Sequence, residues 1–243
     1  DVKQSQKSQE IQLVGDTDTL QYVIGGYYFS EKVRDIRKSF LSIIYTDSDL
    51  KNAIGVNPFT FGNPTGGFFD QKTKSRSYAA FAQVTWSPEF ADSRLHITGG
   101  LRYTDDRKTF LRTEASGQPV NIIPAPFSEK RFDPAFTIAY DFSDTINAYA
   151  RFARAYRSGG VSVRSPTFSP FGSEVNTSYE LGIKSDLIDR HLRANLAIFE
   201  NRIKDRQVTS QIDPVLNPSI TDTINAPGVT RIRGAELELT MVP

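Results

Sequence analysis

Tyr78-Ala-Ala-Phe-Ala-Gln-Val-Thr-Trp86, the turn Ser87-Pro-Glu-Phe-Ala-Asp92, and Leu95-His-Ile-Thr-Gly-Gly-Leu-Arg-Tyr103 make one strand–short turn–strand unit. Each arm alternates apolar and polar residues, and a side-chain period of two gives every strand one apolar face. The unit recurs as Thr177-Ser-Tyr-Glu-Leu-Gly-Ile-Lys184, a turn through Asp186 and Asp189, and Leu192-Arg-Ala-Asn-Leu-Ala-Ile198. A soluble sandwich could bury such faces against one another. The order of the connections points elsewhere. Nine strands are expected, near 5–14, 19–38, 75–87, 93–111, 129–142, 145–158, 175–186, 190–211 and 228–242. Short links at Gly15–Asp18, Ser87–Asp92, Ser143–Asp144 and Asp186–Asp189 carry Asp, Ser, Pro or Gly, as turns require. They alternate strictly with longer, Pro-containing segments at 41–74, 112–128, 159–174 and 212–227. That alternation is the pattern of an all-β, transmembrane, antiparallel up-and-down barrel, with short turns in the periplasm and long loops outside the cell.

Composition agrees. Apolar residues are 38% of the 243, while aromatic residues reach 12%, with 17 Phe and 10 Tyr. Mean hydropathy is nonetheless −0.38. A barrel reconciles these values, because only alternate residues meet lipid and aromatic girdles mark both interfaces. A net charge of +1 gives no electrostatic case for a nucleic-acid partner. The absence of Cys excludes disulfides and thiolate chemistry. No run of 18 apolar residues exists, so no transmembrane helix is expected. The chain opens Asp1-Val-Lys-Gln-Ser-Gln without an apolar signal region, so Asp1 is expected to be a mature terminus or an internal start.

The faces follow from the alternation. Tyr78, Ala80, Ala82, Val84 and Trp86 are assigned to lipid, as are Leu95, Ile97, Leu101 and Tyr103, then Phe136, Ile138 and Tyr140. Tyr179, Leu181 and Ile183, then Leu192, Ala194, Leu196 and Ile198, and Ala235, Leu237, Leu239 and Met241 continue the stripe. The opposite, lumenal face receives His96, Arg102, Arg151, Glu180, Lys184, Arg193, Glu236 and Glu238. Charges of both signs on one face do not suit a dry core, but they suit a wet or plugged lumen. Tyr149 inward and Arg154 outward are the two positions that strain this scheme.

Several stretches resemble the barrel of TonB-dependent receptors. They are Asn176-Thr-Ser-Tyr-Glu-Leu-Gly-Ile-Lys-Ser185, Asp189-Arg-His-Leu-Arg-Ala-Asn-Leu-Ala-Ile-Phe199, Asp205-Arg-Gln-Val208, Tyr149 through Gly160, and Asn225-Ala-Pro-Gly with Arg233-Gly-Ala-Glu-Leu-Glu238. Ser8 to Leu13, Gly25 to Phe29 and Gly99 to Tyr103 fit the same family, so the resemblance covers nearly the whole chain. It implies a barrel of about 22 strands around an N-terminal plug. It also implies import of a scarce nutrient, most often a ferric siderophore, driven by TonB through the plug, in the Gram-negative outer membrane. No plug precedes the first strand here, and nine strands cannot close, so residues 1–243 are expected to be part of a longer barrel. A passive pore, or a receptor for cobalamin or an oligosaccharide, remains an alternative.

No nucleophile–base pair is visible, so no enzyme activity, cofactor or metal site is expected. His96 is expected to pack on a plug rather than to bind metal, and His191 to lie at a periplasmic turn. The ligand-binding candidates are aromatic and basic residues at the outer end: Phe59, Phe61, Phe68, Phe69, Arg112, Arg157 and Arg164. Arg forms charge-assisted bonds to an anionic ligand and aromatic faces stack on aryl groups. The competing reading is that these side chains pack the loops together.

Overall fold

The computed structural model describes residues 1–38, 68–115, 118–163, 165, 168–189, 191–213 and 217–241. Nine strands form one antiparallel sheet in sequence order: β1 (Val2–Asp16), β2 (Leu20–Lys38), β3 (Phe68–Trp86), β4 (Leu95–Ala115), β6 (Phe127–Ser143), β7 (Ile146–Arg157), β10 (Glu174–Leu187), β11 (Leu192–Lys204) and β14 (Val229–Met241). Short β5 (Gln118–Ile122) pairs with the outer end of β4. Two small hairpins stand apart from the sheet: β8 (Gly160–Val161) with β9 (Pro170–Phe171), and β12 (Gln207–Asp213) with β13 (Asn217–Asn225). Each strand pairs with the next across a short turn or a long connection in strict alternation, so the sheet is an up-and-down wall. The wall is not closed on itself.

Direct cross-strand partners share a face, so the register fixes the two surfaces. One row runs Leu20, Trp86, Ile97, Ile138, Ala150, Leu181, Ile198 and Ala235. The next runs Leu95, Tyr140, Ala148, Ile183, Leu196 and Leu237. Large apolar members of these rows are exposed, Leu181 to 55% and Leu237 to 65%, so the sheet presents a continuous apolar exterior that water would not tolerate. Aromatic residues bound it. Trp86 and Phe90 meet at 6.0 Å, and Tyr140 and Phe142 at 5.0 Å, near the short turns. Tyr28 and Tyr78 meet at 5.2 Å, and Tyr103 and Phe132 at 5.0 Å, toward the other end. Tyr78 to Trp86, Leu95 to Tyr103 and Phe132 to Tyr140 are each nine residues long, eight steps from end to end. Eight steps rise about 26 Å along a strand, or roughly 20 Å across a membrane when tilted near 40°, close to the apolar height of outer-membrane barrels. Beyond Tyr78 the outward row turns charged, with Asp105 paired to both Arg107 and Lys130.

The strands overrun the membrane at the outer end, as their length predicts. Four departures from the sequence reading change an element. β3 begins at Phe68 rather than 75, because pairing with β2 continues to Phe69↔Arg37 and Phe68↔Lys38. Phe69 is therefore a strand residue, not a loop residue. The strand expected over 190–211 breaks at Asp205, whose φ of 53° leaves the strand conformation, and 207–225 becomes a hairpin. Segment 112–128 contains β5, and 159–174 contains the β8–β9 hairpin. Both positions that strained the alternation, Tyr149 and Arg154, hold in the register: Tyr149 pairs with Ala139 and Gly182 on the lumenal face, and Arg154 with Thr177 on the exterior.

Candidate functional site: the outer mouth and the lumenal wall

Among the described residues, the buried cluster lies above the membrane, on the lumenal side of β3 and β4. The connection after β7 folds back there. Phe168, 1% exposed, packs with Phe110 and Val161, and Ile122 and Phe127 flank them. Arg112 of β4 enters this cluster fully buried. Its guanidinium lies 4.5 Å from the Phe69 ring and 4.2 Å from that of Phe168. It donates to the carbonyl oxygens of Ser165 (2.8 Å) and Val163 (3.2 Å) and to Gln71 Oε1 (3.1 Å). Burial disfavours its charge, and stacking with charge-assisted bonds offsets that cost. Lys108 Nζ holds the start of the same connection, donating to Ser158 Oγ (2.5 Å) and to the Gly159 carbonyl (2.9 Å). Desolvation lowers the Lys108 pKa, and Asp106 and Glu31 oppose that shift. Gly159 is required here, because a Cβ would lie 2.4 Å from the Phe171 carbonyl oxygen.

The β12–β13 hairpin locks onto this folded connection. The Thr223 N–H donates to Ser162 Oγ at 3.0 Å and the Gln207 N–H to Glu174 at 2.7 Å. Asn225 is the clamp: its Oδ1 accepts from the Gly172 N–H (2.6 Å), and its Nδ2 donates to the Asp205 carbonyl (2.8 Å) and the Gly172 carbonyl (3.1 Å). At the rim, Arg34 grips Asp70 with two bonds of 2.9 and 2.6 Å. Those bonds hold the Asp70 carboxyl below its ordinary pKa.

Below the mouth, the lumenal wall is polar. Two recesses of about 440 and 670 Å³ share Asn147 and Lys184. Tyr149 OH donates to Glu180 at 2.7 Å, while Lys184 Nζ lies 5.4 Å from the Tyr149 ring centre. Arg151 is Glu180's cross-strand partner. Arg102 lies 5.6 Å from both the Tyr27 and Phe81 rings. Near the short turns, Arg193 pairs with Asp186 at 2.8 Å. His96 has both ring nitrogens engaged, with Ser87 Oγ and Asp141 Oδ2, each at 2.8 Å. Glu238 accepts from Asn195 at 3.2 Å, and Glu236 is exposed on the same strand.

The structure thus brings all eight lumenal candidates onto one face, and it separates the outer-end candidates. Arg157 is exposed at the outer tip of β7, opposite Glu174. Arg112 corrects the reading of an accessible ligand contact: the folded connection covers it, and it staples that connection to the wall. Phe69 is half-buried against it. Phe59, Phe61 and Arg164 lie outside the described residues, as does the side chain of Phe68. Gln71, Lys108, Ser162, Gln207 and Asn225 were missed, although Asn225 and Gln207 stand in stretches that carried the family resemblance.

A family model described as the TonB dependent receptor-like β-barrel matches residues 4–242. Among curated proteins, the chain is 26% identical over 129 residues to the ferripyoverdine receptor of Pseudomonas aeruginosa, over 52% of this chain and 16% of that protein. Among solved structures it is similar to the ferric yersiniabactin uptake receptor of Yersinia pestis, with TM-score 0.70 and 21% identity over 98% of this chain and 32% of that one. A copper transporter gives TM-score 0.68 and 17% identity over 98% of this chain and 35% of the other. The Pseudomonas aeruginosa ferripyoverdine receptor bound to ferripyoverdine gives 0.65 and 18%, over 99% and 31%. The chain therefore spans about a third of the length of these solved relatives.

Proposed function

This chain belongs to the TonB-dependent receptor β-barrel family, and from that premise we propose that residues 1–243 form part of the barrel wall and outer mouth of an outer-membrane receptor that imports a ferric siderophore. The observation that carries the siderophore class is the sequence match to the ferripyoverdine receptor, which extends over half of the chain. The geometry supports active import rather than passive flow. Strands project past the membrane, and a folded connection held by Arg112 and Asn225 covers the lumenal side of β4 at its outer end. In this reading Arg157, Phe68 at the start of β3, and the outer-loop candidates Phe59, Phe61 and Arg164 bind an anionic, aryl-bearing ligand. Arg102, Arg151, Glu180, Lys184, Arg193, Glu236 and Glu238 face a plug or a hydrated path, with TonB supplying the energy through that plug. His96 braces the short-turn end of the same wall.

The test is uptake of ⁵⁵Fe carried by a panel of siderophores, in cells with and without the full-length protein, before and after a protonophore. Loss of uptake of at least one ferric siderophore, on deletion and on de-energisation alike, is the expected result. Unchanged iron uptake with a fall in copper or cobalamin uptake would redirect the reading to a non-iron solute. Uptake insensitive to the protonophore would make the protein a passive pore.

A further inference from the structure

Among the described residues, one junction of the sheet comes apart at its outer end. β6 pairs with β4 out to Lys108↔Phe127, but with β7 only as far as Ala135↔Ala153. β7 itself stays paired with β10 to its tip, at Arg157↔Glu174. The outer ends of β6 (127–134) and β7 (154–157) therefore share no register. Pro134 stands at the first unpaired position, and a proline, with no N–H to donate, suits a strand edge. Alternation along β7 assigns Tyr156 to the exterior with Phe152 and Arg154. Its contacts are lumenal instead. The Tyr156 hydroxyl donates to Asp106 of β4, and the Arg131 guanidinium of β6 lies 4.6 Å from the Tyr156 ring centre. Asp106 shares the face of Arg102, and Arg131 is the partner of Thr104 on that face. The tip of β7 has thus left the edge of β6 and overlaps its lumenal face, with the start of β10 attached. Arg131, only 9% exposed, is fixed beneath the ring by Glu129 at 3.0 Å and Asp133 at 3.1 Å. Lys108 holds the next two residues, Ser158 and Gly159, to the same face.

We propose that the outer tip of the β7–β10 pair is a two-state element, hinged at Ala135–Ala153 and latched by Tyr156. The latched state is the one just described. In the released state the β6–β7 register continues past Ala135↔Ala153, so that Asp133 meets Ala155 and Phe132 meets Tyr156. Tyr156 then joins Phe132 and Tyr103 on the exterior, where alternation assigns it. Each state supplies what the other lacks. The latched hydroxyl has a carboxylate while two strand edges go unpaired; the released edges pair, across a proline that cannot donate, while the hydroxyl gives up Asp106. Opposed terms of this kind make a joint with two populated arrangements. Arg157 stands on the tip, so an anionic solute bound there would bias the joint; that consequence alone rests on the function proposed above.

The experiment measures disulfide formation under mild oxidant in the full-length protein, in nanodiscs, without solute and in a background otherwise free of Cys. The pair D133C/A155C reports the released register, because direct cross-strand partners lie within disulfide range. Glu129 still holds Arg131 in that variant. The pair A135C/A153C, partners already, sets the reference rate. With Tyr156 in place D133C/A155C should link slowly. Y156F keeps the ring and removes the bond to Asp106, and should speed linking about tenfold, the worth of one hydrogen bond to a carboxylate. R131Q/Y156F should speed it further, and A135C/A153C should be unaffected by either change. A D133C/A155C rate equal to the reference with Tyr156 present would mean that the strands are already paired, and would overturn the proposal. A pair that stays unlinked in Y156F protein, when A135C/A153C links normally in the same background, would overturn it too, since that protein is folded and has no released state.

Discussion

Arg112→Ala should release the connection after β7 from the barrel wall while leaving the wall intact. The side chain is fully buried and makes three hydrogen bonds to Ser165, Val163 and Gln71. Its removal strands two carbonyl oxygens and one amide oxygen. Each costs about 1 kcal/mol at the lower end of the range for buried acceptors, since water can enter from the mouth. Losing the guanidinium from between the Phe69 and Phe168 rings adds roughly 1 kcal/mol. The sum, about 4 kcal/mol, is roughly a thousandfold in the local opening equilibrium. Hydrogen exchange on the full-length protein in nanodiscs reads this directly. The N–H groups of Ser162, Ser165 and Phe168 are bonded within the connection, to Ser169, Ser162 and Ser165 oxygens respectively. Their protection should fall by two to three orders of magnitude on this estimate, with amides of β10 and β11 unchanged. Arg112→Lys keeps the charge but loses the fork, and should fall between. Loop amides that exchange at the native rate in Arg112→Ala would refute the staple.

Gly182→Ala would place a Cβ 2.5 Å from the Tyr149 ring. Tyr149 must swing away and forfeit its bond to Glu180, so the unfolding midpoint in guanidinium should drop by the equivalent of about 1–2 kcal/mol, and Tyr149→Ala in the same background should recover part of that loss. The Arg34–Asp70 pair sets an acid limit at the rim. Because the bond from Arg34 lowers the folded-state pKa of Asp70, its contribution is fully present above the ordinary carboxylate value of about 4 and is lost as pH falls through the lower folded value. The difference in Tm between the native protein and Asp70→Asn should be constant from pH 7 to about 5 and shrink below about pH 4. A constant difference down to pH 2 would exclude the pair as its source.

The wall was legible in the sequence because lipid imposes a binary choice at every residue. Within the span between Tyr103 and Leu95, a slip of one residue would drive Arg102 into hydrocarbon and Leu101 into the lumen, so the pattern and the register agree. Tyr149 shows where the pattern alone falters: a phenol reads as apolar, yet its OH needs an acceptor, and Glu180 supplies one only on the lumenal side. Above the aromatic boundary the constraint disappears, because both faces meet water. There β3 runs on to Phe68 through Lys, Thr and Gln that carry no periodicity, and its extent is set by pairing with β2 rather than by burial.

The mouth was illegible for a different reason. Its cohesion comes from single polar contacts between segments far apart in the chain, such as Arg112 to Val163 and Asn225 to Gly172. Neither member of such a pair betrays the other by spacing. The one local signal was Asp205, a residue type that tolerates positive φ, standing where β11 must stop for the hairpin to begin. The same contrast separates two arginines. Arg112 and Arg202 are both strand residues above the membrane, and composition treats them alike. Register alone puts the first inside the mouth, where stacking and carbonyls consume its fork, and the second on the lipid side, where a single glutamate takes one of its nitrogens. Register and the number of committed donors, rather than residue type, therefore separate these two arginines.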